Sequence, residues 1–163
     1  MHDGTGEWLD EHEERAWRAF FDAQVLFWRR MARDLQRDTG LSEPDFAILG
    51  ALLEAPGGAL RPYELGGVTD FEKSRLHHHL TRMAKRGLVT RESCPDVPRA
   101  AIVTLTAEGR AAITAAFPRR ADHIRRRLIS PLTRAQLDSL TEISDRIQAP
   151  LRSDGPSGKA TTD

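Results

Sequence analysis

The side chains best suited to binding an anion or a nucleic acid lie between residues 71 and 99. This stretch holds seven Lys or Arg residues against three acidic ones, although the 163-residue chain as a whole carries 24 of each sign. It also contains three consecutive histidines, His77 to His79. Lys and Arg donate hydrogen bonds to phosphate oxygens, and a neutral imidazole both donates and accepts. The charge distribution therefore favours a polyanionic partner more than the zero net charge suggests.

The spacing within this stretch predicts a helix over residues 70–86. A Thr-x-x-Glu capping box at Thr69 to Glu72 would start it, and Gly87 has the place of a helix-ending glycine. Leu76, Leu80, Met83 and Gly87 fall on one side at helical spacing, and we expect this stripe to be buried. The opposite side is polar and cationic, and consists of Ser74, Arg75, His77, His78, Thr81, Arg82 and Lys85. We expect one face to pack and the other to meet solvent or a ligand.

The histidine run does not predict a metal site. Neighbouring residues on a helix project about 100° apart, so three in succession cannot converge on one tetrahedral ion. The chain also has no HExxH pair, phosphate loop, GxSxG motif or convincing Cys-His couple. We therefore expect no metal, no cofactor and no enzymatic activity.

A β-hairpin is predicted directly after this helix. Residues 88–92 and 99–105 are predicted to form two short strands, and the turn-rich segment from Cys94 to Pro98 connects them. Arg99 is the candidate to enter the narrow, negative minor groove of a duplex. Oxidation of Cys94 in this turn would disturb such a contact, so a redox-responsive regulator remains an alternative.

Long amphipathic helices flank this central part. Apolar residues from Trp8 to about Arg37 predict a single helix about 45 Å long, which exceeds what one small domain covers, so part of its face is expected to meet another subunit. Gly40 ends that helix, and Ser42 to Asp45 form a capping box for the next. Pro62 begins a short third helix. Thr106 caps a later helix that Pro118 is expected to kink or break, and Thr133 with Gln136 starts the last one.

The composition indicates a globular protein. One cysteine excludes an internal disulfide, the acidic N-terminus lacks the features of a signal peptide, and no apolar run approaches the ~20 residues of a membrane span. We expect a soluble cytoplasmic protein with a disordered tail over residues 150–163.

The predicted order of elements is that of a winged helix-turn-helix: mainly α, with a small β-hairpin and with N- and C-terminal dimerisation helices. The major groove of B-DNA, about 12 Å wide, admits one α-helix. The expected DNA-binding residues are Lys73, Ser74, Arg75, His77, His78, Arg82, Lys85 and Arg99. Among them, Arg75 and the histidines would contact base edges, and Arg82 and Lys85 would contact phosphates.

The segment FEKSRLHHHLTRMAKRGLVTRESCPDVPRAAIVTLTAEGR resembles the recognition helix and wing of MarR-type transcriptional regulators, including Leu105, Thr106 and Gly109 of a Leu-Thr-x-x-Gly run. Glu72 to Leu76 and the Cys94 turn are most similar to actinobacterial members. The resemblance implies a homodimer joined through its first and last helices, operator binding, and often an aromatic or acidic effector that weakens DNA binding. Some members sense oxidants instead. The wing departs from the family pattern because Val97 stands where an Asp commonly precedes the arginine.

These observations together predict a regulator, most simply a repressor, that binds a pseudo-palindromic operator as a homodimer. Residues 42–105 would form the DNA-binding region, and residues 8–39 and 107–148 the helical dimerisation region. Trp28 and Phe46 are the candidate effector-pocket residues, although aromatic stripes are more often core or interface. A winged-helix module that binds proteins and no DNA is the other alternative.

Overall fold

The structure, a computed structural model, describes residues 8–93 and 101–153. It is mainly helical with one small antiparallel sheet, which confirms the predicted winged helix-turn-helix class. The chain forms two compact units, Met1–His123 and Ile124–Asp163. The elements are α1 (Glu11–Thr39), α2 (Glu43–Glu54), β1 (Ala59–Leu60), α3 (Pro62–Thr69), α4 (Lys73–Lys85), β2 (Val89–Ser93), β3 (Ala101–Leu105), α5 (Ala107–Ile124) and α6 (Arg134–Ser153).

Helix α1 is a single helix of 29 residues, as its apolar spacing predicts. Asp10 and Glu13 form a capping box at its start, and Gly40 ends it with φ 70°. Only its C-terminal third is buried, through Met31, Asp34 and Leu35. The aromatic residues nearer the N-terminus are about half exposed, and these are Trp17, Phe20, Phe21 and Trp28.

Helices α2, α3, α4 and α5 and the sheet enclose one hydrophobic core. The predicted capping box of α2 is present, with Ser42 Oγ accepting from Asp45 N and Asp45 Oδ2 accepting from Ser42 N. The buried cluster contains Leu41, Ile48, Leu49, Leu52, Leu65, Leu76, Leu80, Met83, Leu88, Val89, Val103, Leu105, Ile113 and Ala116. The core thus takes Leu76, Leu80 and Met83 of the predicted stripe of α4, whereas Gly87, which was predicted to be buried with them, is exposed after the end of the helix.

The start of α4 differs from the predicted capping box. Thr69 is the last residue of α3, and its hydroxyl donates to Leu65 O at 2.5 Å within that helix. Asp70 follows in the left-handed region, with φ 54°, and the chain turns there. Helix α4 begins after Glu72, whose side chain makes no capping bond. The Thr69 prediction was wrong because its hydroxyl is already bonded inside α3.

The sheet has three strands in the order β1-β3-β2, all antiparallel. The two predicted strands of the hairpin are confirmed, with Val89 opposite Leu105 and Arg91 opposite Val103. The third strand, β1, is only two residues long and its pattern was not visible in the sequence. The predicted wing turn, including Cys94, Val97 and Arg99, lies outside the described residues.

Helix α5 starts where predicted but does not break where predicted. Thr106 Oγ1 accepts from Gly109 N at 2.9 Å and so caps the helix. The helix then continues through Pro118 to Ile124 and ends in a π-helical turn, Arg125–Ile129. Proline removes one N–H donor and crowds one carbonyl of the preceding turn. Because Pro118 is exposed, solvent can satisfy that carbonyl, and the helix is not interrupted.

The second unit contains α6. Thr133 and Gln136 make the predicted capping box, with bonds of 2.9 and 3.3 Å between each backbone N–H and the other side chain. The helix extends through Pro150 to Ser153. Residues 150–153 are therefore helical where the sequence predicted the start of a disordered tail, and residues 154–163 lie outside the described ranges.

Arg86 joins the C-terminal end of α4 to the connection between α1 and α2 through two hydrogen bonds. Its Nη1 donates to Asp45 Oδ2 at 2.6 Å, and its Nη2 donates to Gly40 O at 2.8 Å. The Asp45 side chain is 7% exposed and the Arg86 side chain 43%. Because a buried carboxylate needs a partner, this pair fixes where the polar face of α4 points.

We expect Arg86→Ala to lower the free energy of unfolding by about 2 kcal/mol, less than for a fully buried pair because Arg86 is partly exposed. Urea unfolding at fixed protein concentration measures the loss. Lys85→Ala is the matched control, since its neighbouring, exposed cation should change stability by only about 0.5 kcal/mol. Equal effects of the two substitutions would contradict the structural role of Arg86.

Candidate nucleic-acid interface

The polar face of α4 is assembled as the sequence predicts. The residues expected to contact DNA are all exposed on this helix, and they are Lys73, Ser74, Arg75, His77, His78, Arg82 and Lys85. They lie opposite Leu76, Leu80 and Met83, which are at most 2% exposed. A rigid cationic surface of this kind can enter a groove without rearrangement of the core beneath it.

The first turn of α4 presents positive charge from two sources. Lys73, Ser74 and Arg75 are exposed there, and the N-cap residue Glu72 satisfies none of the backbone N–H groups with its side chain. The free N–H groups and the helix dipole add to the two cationic side chains. No hydrogen bond ties Arg75 to another residue of the described chain. Its guanidinium is available for an external acceptor.

Arg82 contacts another side chain of α4, which the sequence did not predict. Its Nη2 lies 2.8 Å from Nδ1 of His79, one turn earlier on the same helix. His79 is half-buried, and its ring packs against Phe71 with centroids 5.5 Å apart. Burial, and then the nearby positive charge of Arg82, lower the pKa of His79 below its ordinary value. Arg82 retains further N–H donors for a phosphate while holding this histidine.

The lowered pKa of His79 predicts acid sensitivity. In the unfolded chain this histidine takes up a proton near pH 6.5, whereas the folded chain resists the proton, so stability is lost as the pH falls below about 6.5. We expect the free energy of unfolding to fall less between about pH 7.5 and pH 5.5 in His79→Gln than in the unmodified protein. Urea unfolding at both pH values measures this difference in the free energy of unfolding. A pH dependence of His79→Gln equal to that of the unmodified protein would contradict this assignment.

Arg91 is a candidate residue that the sequence analysis did not place at the site. It lies on β2, on the same side as buried Val89, because strand residues alternate with period two. Its side chain reaches across to α4, where Nη1 lies 3.3 Å from Thr81 Oγ1 and Nη2 lies 3.5 Å from His77 Nδ1. The two-residue spacing of Val89 and Arg91 was the signal available in the sequence, because it places both side chains on the same side of the strand.

A cleft of about 1240 Å³ adjoins this face of α4. The start of α3 contributes Arg61 and Tyr63, both exposed, and the sheet contributes Arg91 and Ala101. Phe71, Leu76 and Leu80 give the cleft an apolar floor. Arg61 and Tyr63 were also missed, because they become neighbours of α4 only through the tertiary packing of α3 against α4.

The two candidate effector-pocket residues lie near one arginine. The Arg120 guanidinium carbon is 5.9 Å from the centre of the Trp28 ring and 5.6 Å from that of Phe46. Its two terminal nitrogens donate to the carboxylate of Glu43 at 2.5 and 3.0 Å. Phe117 packs edge-on against Phe46 at 5.5 Å. An arginine held among aromatic rings can bind an aromatic anion if it gives up its internal carboxylate.

Two further properties concern the described residues only. Within residues 8–93 and 101–153, no three His, Cys, Asp or Glu side chains come close enough together to hold a metal ion. None of the helices in the same ranges has the length and apolarity that a membrane span needs.

The exposed cationic helix, its supporting helices and the adjoining three-stranded sheet define a winged helix-turn-helix protein. A MarR family model matches residues 39–100. Transcriptional regulator HosA of Escherichia coli O111:H- is 35% identical over 101 residues, which cover 62% of this chain and 73% of that protein. The chain belongs to the MarR family, whose members are transcriptional regulators and not enzymes.

Solved structures support the same assignment over most of the chain. AbsC, a MarR family transcriptional regulator from Streptomyces coelicolor, is 33% identical with a TM-score of 0.76, and the match covers 90% of this chain and 98% of AbsC. Sco3205, a MarR family regulator from the same organism solved in complex with DNA, is 34% identical with a TM-score of 0.76, and the match covers 88% of this chain and 94% of Sco3205.

Proposed function

We propose that this regulator binds a pseudo-palindromic DNA operator as a homodimer and represses transcription from it. The observation that carries the proposal is the exposed polar face of α4, on which Ser74, Arg75, His77 and His78 are supported by a completely buried opposite face. The complex of Sco3205 with DNA supports the same function for a chain of this family and similarity. Two copies of α4 would enter successive major grooves about 10–10.5 base pairs apart, and the bound dimer would exclude polymerase.

Each predicted contact residue has a separate role in this proposal. Ser74, Arg75, His77 and His78 contact base edges, and an arginine bonded to guanine O6 and N7 gives the strongest discrimination. Lys73, Arg82 and Lys85 bind phosphates and fix the register of the helix. Arg99 is assigned to the minor groove from the sequence alone, since it lies outside the described residues.

Residues 42–105 are the DNA-binding region in this proposal, and residues 8–39 and 107–148 form the dimerisation region. The exposed aromatic residues of α1 support it, because half-exposed Trp and Phe side chains on one helix are typical of a surface that another chain covers. Helix α6 separately exposes Leu140, Ile143 and Ile147 at helical spacing.

Selection from a random duplex library tests the proposed function directly. We expect the full-length protein to enrich a pseudo-palindrome, and its affinity to fall with a log–log salt slope of about −0.9 per phosphate neutralised. A reporter gene behind the enriched sequence should be repressed when the protein is produced. Recovery of no enriched sequence, together with a flat salt dependence, would contradict DNA binding, and activation of the reporter would contradict repression.

An aromatic carboxylate is the proposed effector class, with Trp28 and Phe46 as its ring contacts. Its carboxylate would replace that of Glu43 on Arg120 and so separate α5 from the start of α2. We expect Arg120→Met to bind the selected duplex but to need at least about tenfold more effector for release, as a lost charge-assisted bond implies. Fluorescence anisotropy with a panel of aromatic carboxylates measures release. Arg119→Met, at an exposed neighbour, is the control; release at the same concentration in both variants would refute this site.

A further inference from the structure

The side chain of Arg91 connects β2 to the exposed face of α4 at two points. Nη1 lies 3.3 Å from Thr81 Oγ1, and Nη2 lies 3.5 Å from Nδ1 of His77. Thr81 and His77 are four residues apart and therefore lie one above the other on the helix. The guanidinium bridges two consecutive turns on the side of α4 that is proposed to read DNA.

The direction of these bonds follows from the chemistry of the groups. A guanidinium has N–H donors and no acceptor, so both partner atoms must accept. The Thr81 hydroxyl already donates its proton to His77 O at 2.9 Å, which leaves its lone pairs for Arg91. Nδ1 of His77 can accept only if it carries no proton. A neutral His77 ring then carries its proton on Nε2.

We propose that Arg91 is a positioning residue that holds His77 in the Nε2–H tautomer, so that His77 offers the duplex a hydrogen-bond donor and not an acceptor. The proposal rests on the proposed DNA-binding function. It specifies which base atoms His77 can bind in the major groove. Acceptor atoms in the major groove, such as guanine N7 and O6 or thymine O4, match this tautomer, whereas the amino groups of cytosine and adenine do not.

Among the described residues, none forms a hydrogen bond with Nε2 of His77, which is therefore the free end of the ring. Arg91 approaches from β2 on the Nδ1 side, and the His78 ring lies beside it with centroids 6.1 Å apart. The His77 side chain is exposed and also borders the cleft between α3 and α4. The fixed tautomer removes one of the two hydrogen-bonding patterns that a free imidazole presents, which is how it narrows sequence preference.

Nitrogen NMR of the histidine rings in the full-length protein tests the tautomer without DNA. At about pH 8.5, where an ordinary imidazole is neutral, we expect the His77 signal of the unmodified protein to show the Nε2–H pattern. His77→Gln identifies the signal. Arg91→Ala should shift it toward a mixture of tautomers, Thr81→Val should give an intermediate shift because it removes one anchor of Arg91, and Arg110→Ala should have no effect. An Nδ1–H pattern in the unmodified protein, or no change in Arg91→Ala, would overturn the proposal.

Measurements of duplex affinity distinguish a positioning role of Arg91 from a direct effect of its charge on phosphate binding. If Arg91 acts through His77, Arg91→Ala should raise the Kd for the selected duplex about tenfold and the Kd for random duplex about twofold or less. Equal increases for both duplexes would mean that Arg91 only binds phosphate, and would overturn the inference while leaving DNA binding intact. If the unmodified protein prefers no sequence at all, the proposed function fails, whatever the NMR result.

Discussion

Substitution of Gly109 by alanine is expected to destabilise the fold by roughly 3 kcal/mol or more, as severe overpacking does. A Cβ at this position would lie 2.0 Å from Leu88 O and 2.9 Å from Leu105 Cδ1. The close approach exists because the start of α5 packs directly against the segment between α4 and β2. There the Thr106 hydroxyl donates to Gly87 O at 2.7 Å, which joins the same two segments.

The matched control is Gly50→Ala, also inside a helix, where an added Cβ meets nothing within 4 Å. Alanine should raise stability there by about 0.5–1 kcal/mol, because it favours the helix more than glycine does. Urea unfolding of both variants at one protein concentration measures the two changes in the free energy of unfolding, which should have opposite signs. A Gly109→Ala variant as stable as the unmodified protein would show that α5 does not contact Leu88 in this way.

Substitution of Arg75 by alanine is expected to raise the Kd for the selected operator about tenfold to a hundredfold, with a much smaller effect on random duplex. The reason is that the exposed guanidinium is free to bond guanine in two places, an interaction that is worth about 1–3 kcal/mol of base discrimination. The ratio of the two Kd values, measured by fluorescence anisotropy at one salt concentration, is the relevant quantity.

Lys85→Ala is the control for this prediction, since its ammonium at the end of α4 is assigned to a phosphate. It should weaken binding to all duplexes by a similar factor and reduce the salt slope by about one. An Arg75→Ala variant that behaves in the same way would remove Arg75 from base recognition, and would leave it as one more phosphate contact.

The local features of the fold follow from residue spacing. The capping boxes at Ser42 and Thr133 and the end of α1 at Gly40 were predictable, because each depends on residues within a few positions of one another. The buried stripe and the polar face of α4 were predictable for the same reason, since helical periodicity alone separates them.

Contacts between distant residues were not predictable. Arg86 and Asp45 are 41 positions apart, and their bond places Arg86 in an internal ion pair although its residue type is the same as that of Arg75. Arg91 approaches His77 only because β2 packs beside α4. Pro118 illustrates the converse: its chemistry favours a break, but an exposed position allows α5 to continue.

Chemical footprinting with dimethyl sulfate on the selected duplex tests the central claim most directly, because this reagent methylates guanine N7 in the major groove. The account predicts protection of guanines in two patches about 10–10.5 base pairs apart on one side of the duplex, lost at the specific guanines in Arg75→Ala. Unprotected N7 atoms throughout a duplex that the protein nevertheless binds would contradict the entry of α4 into the major groove.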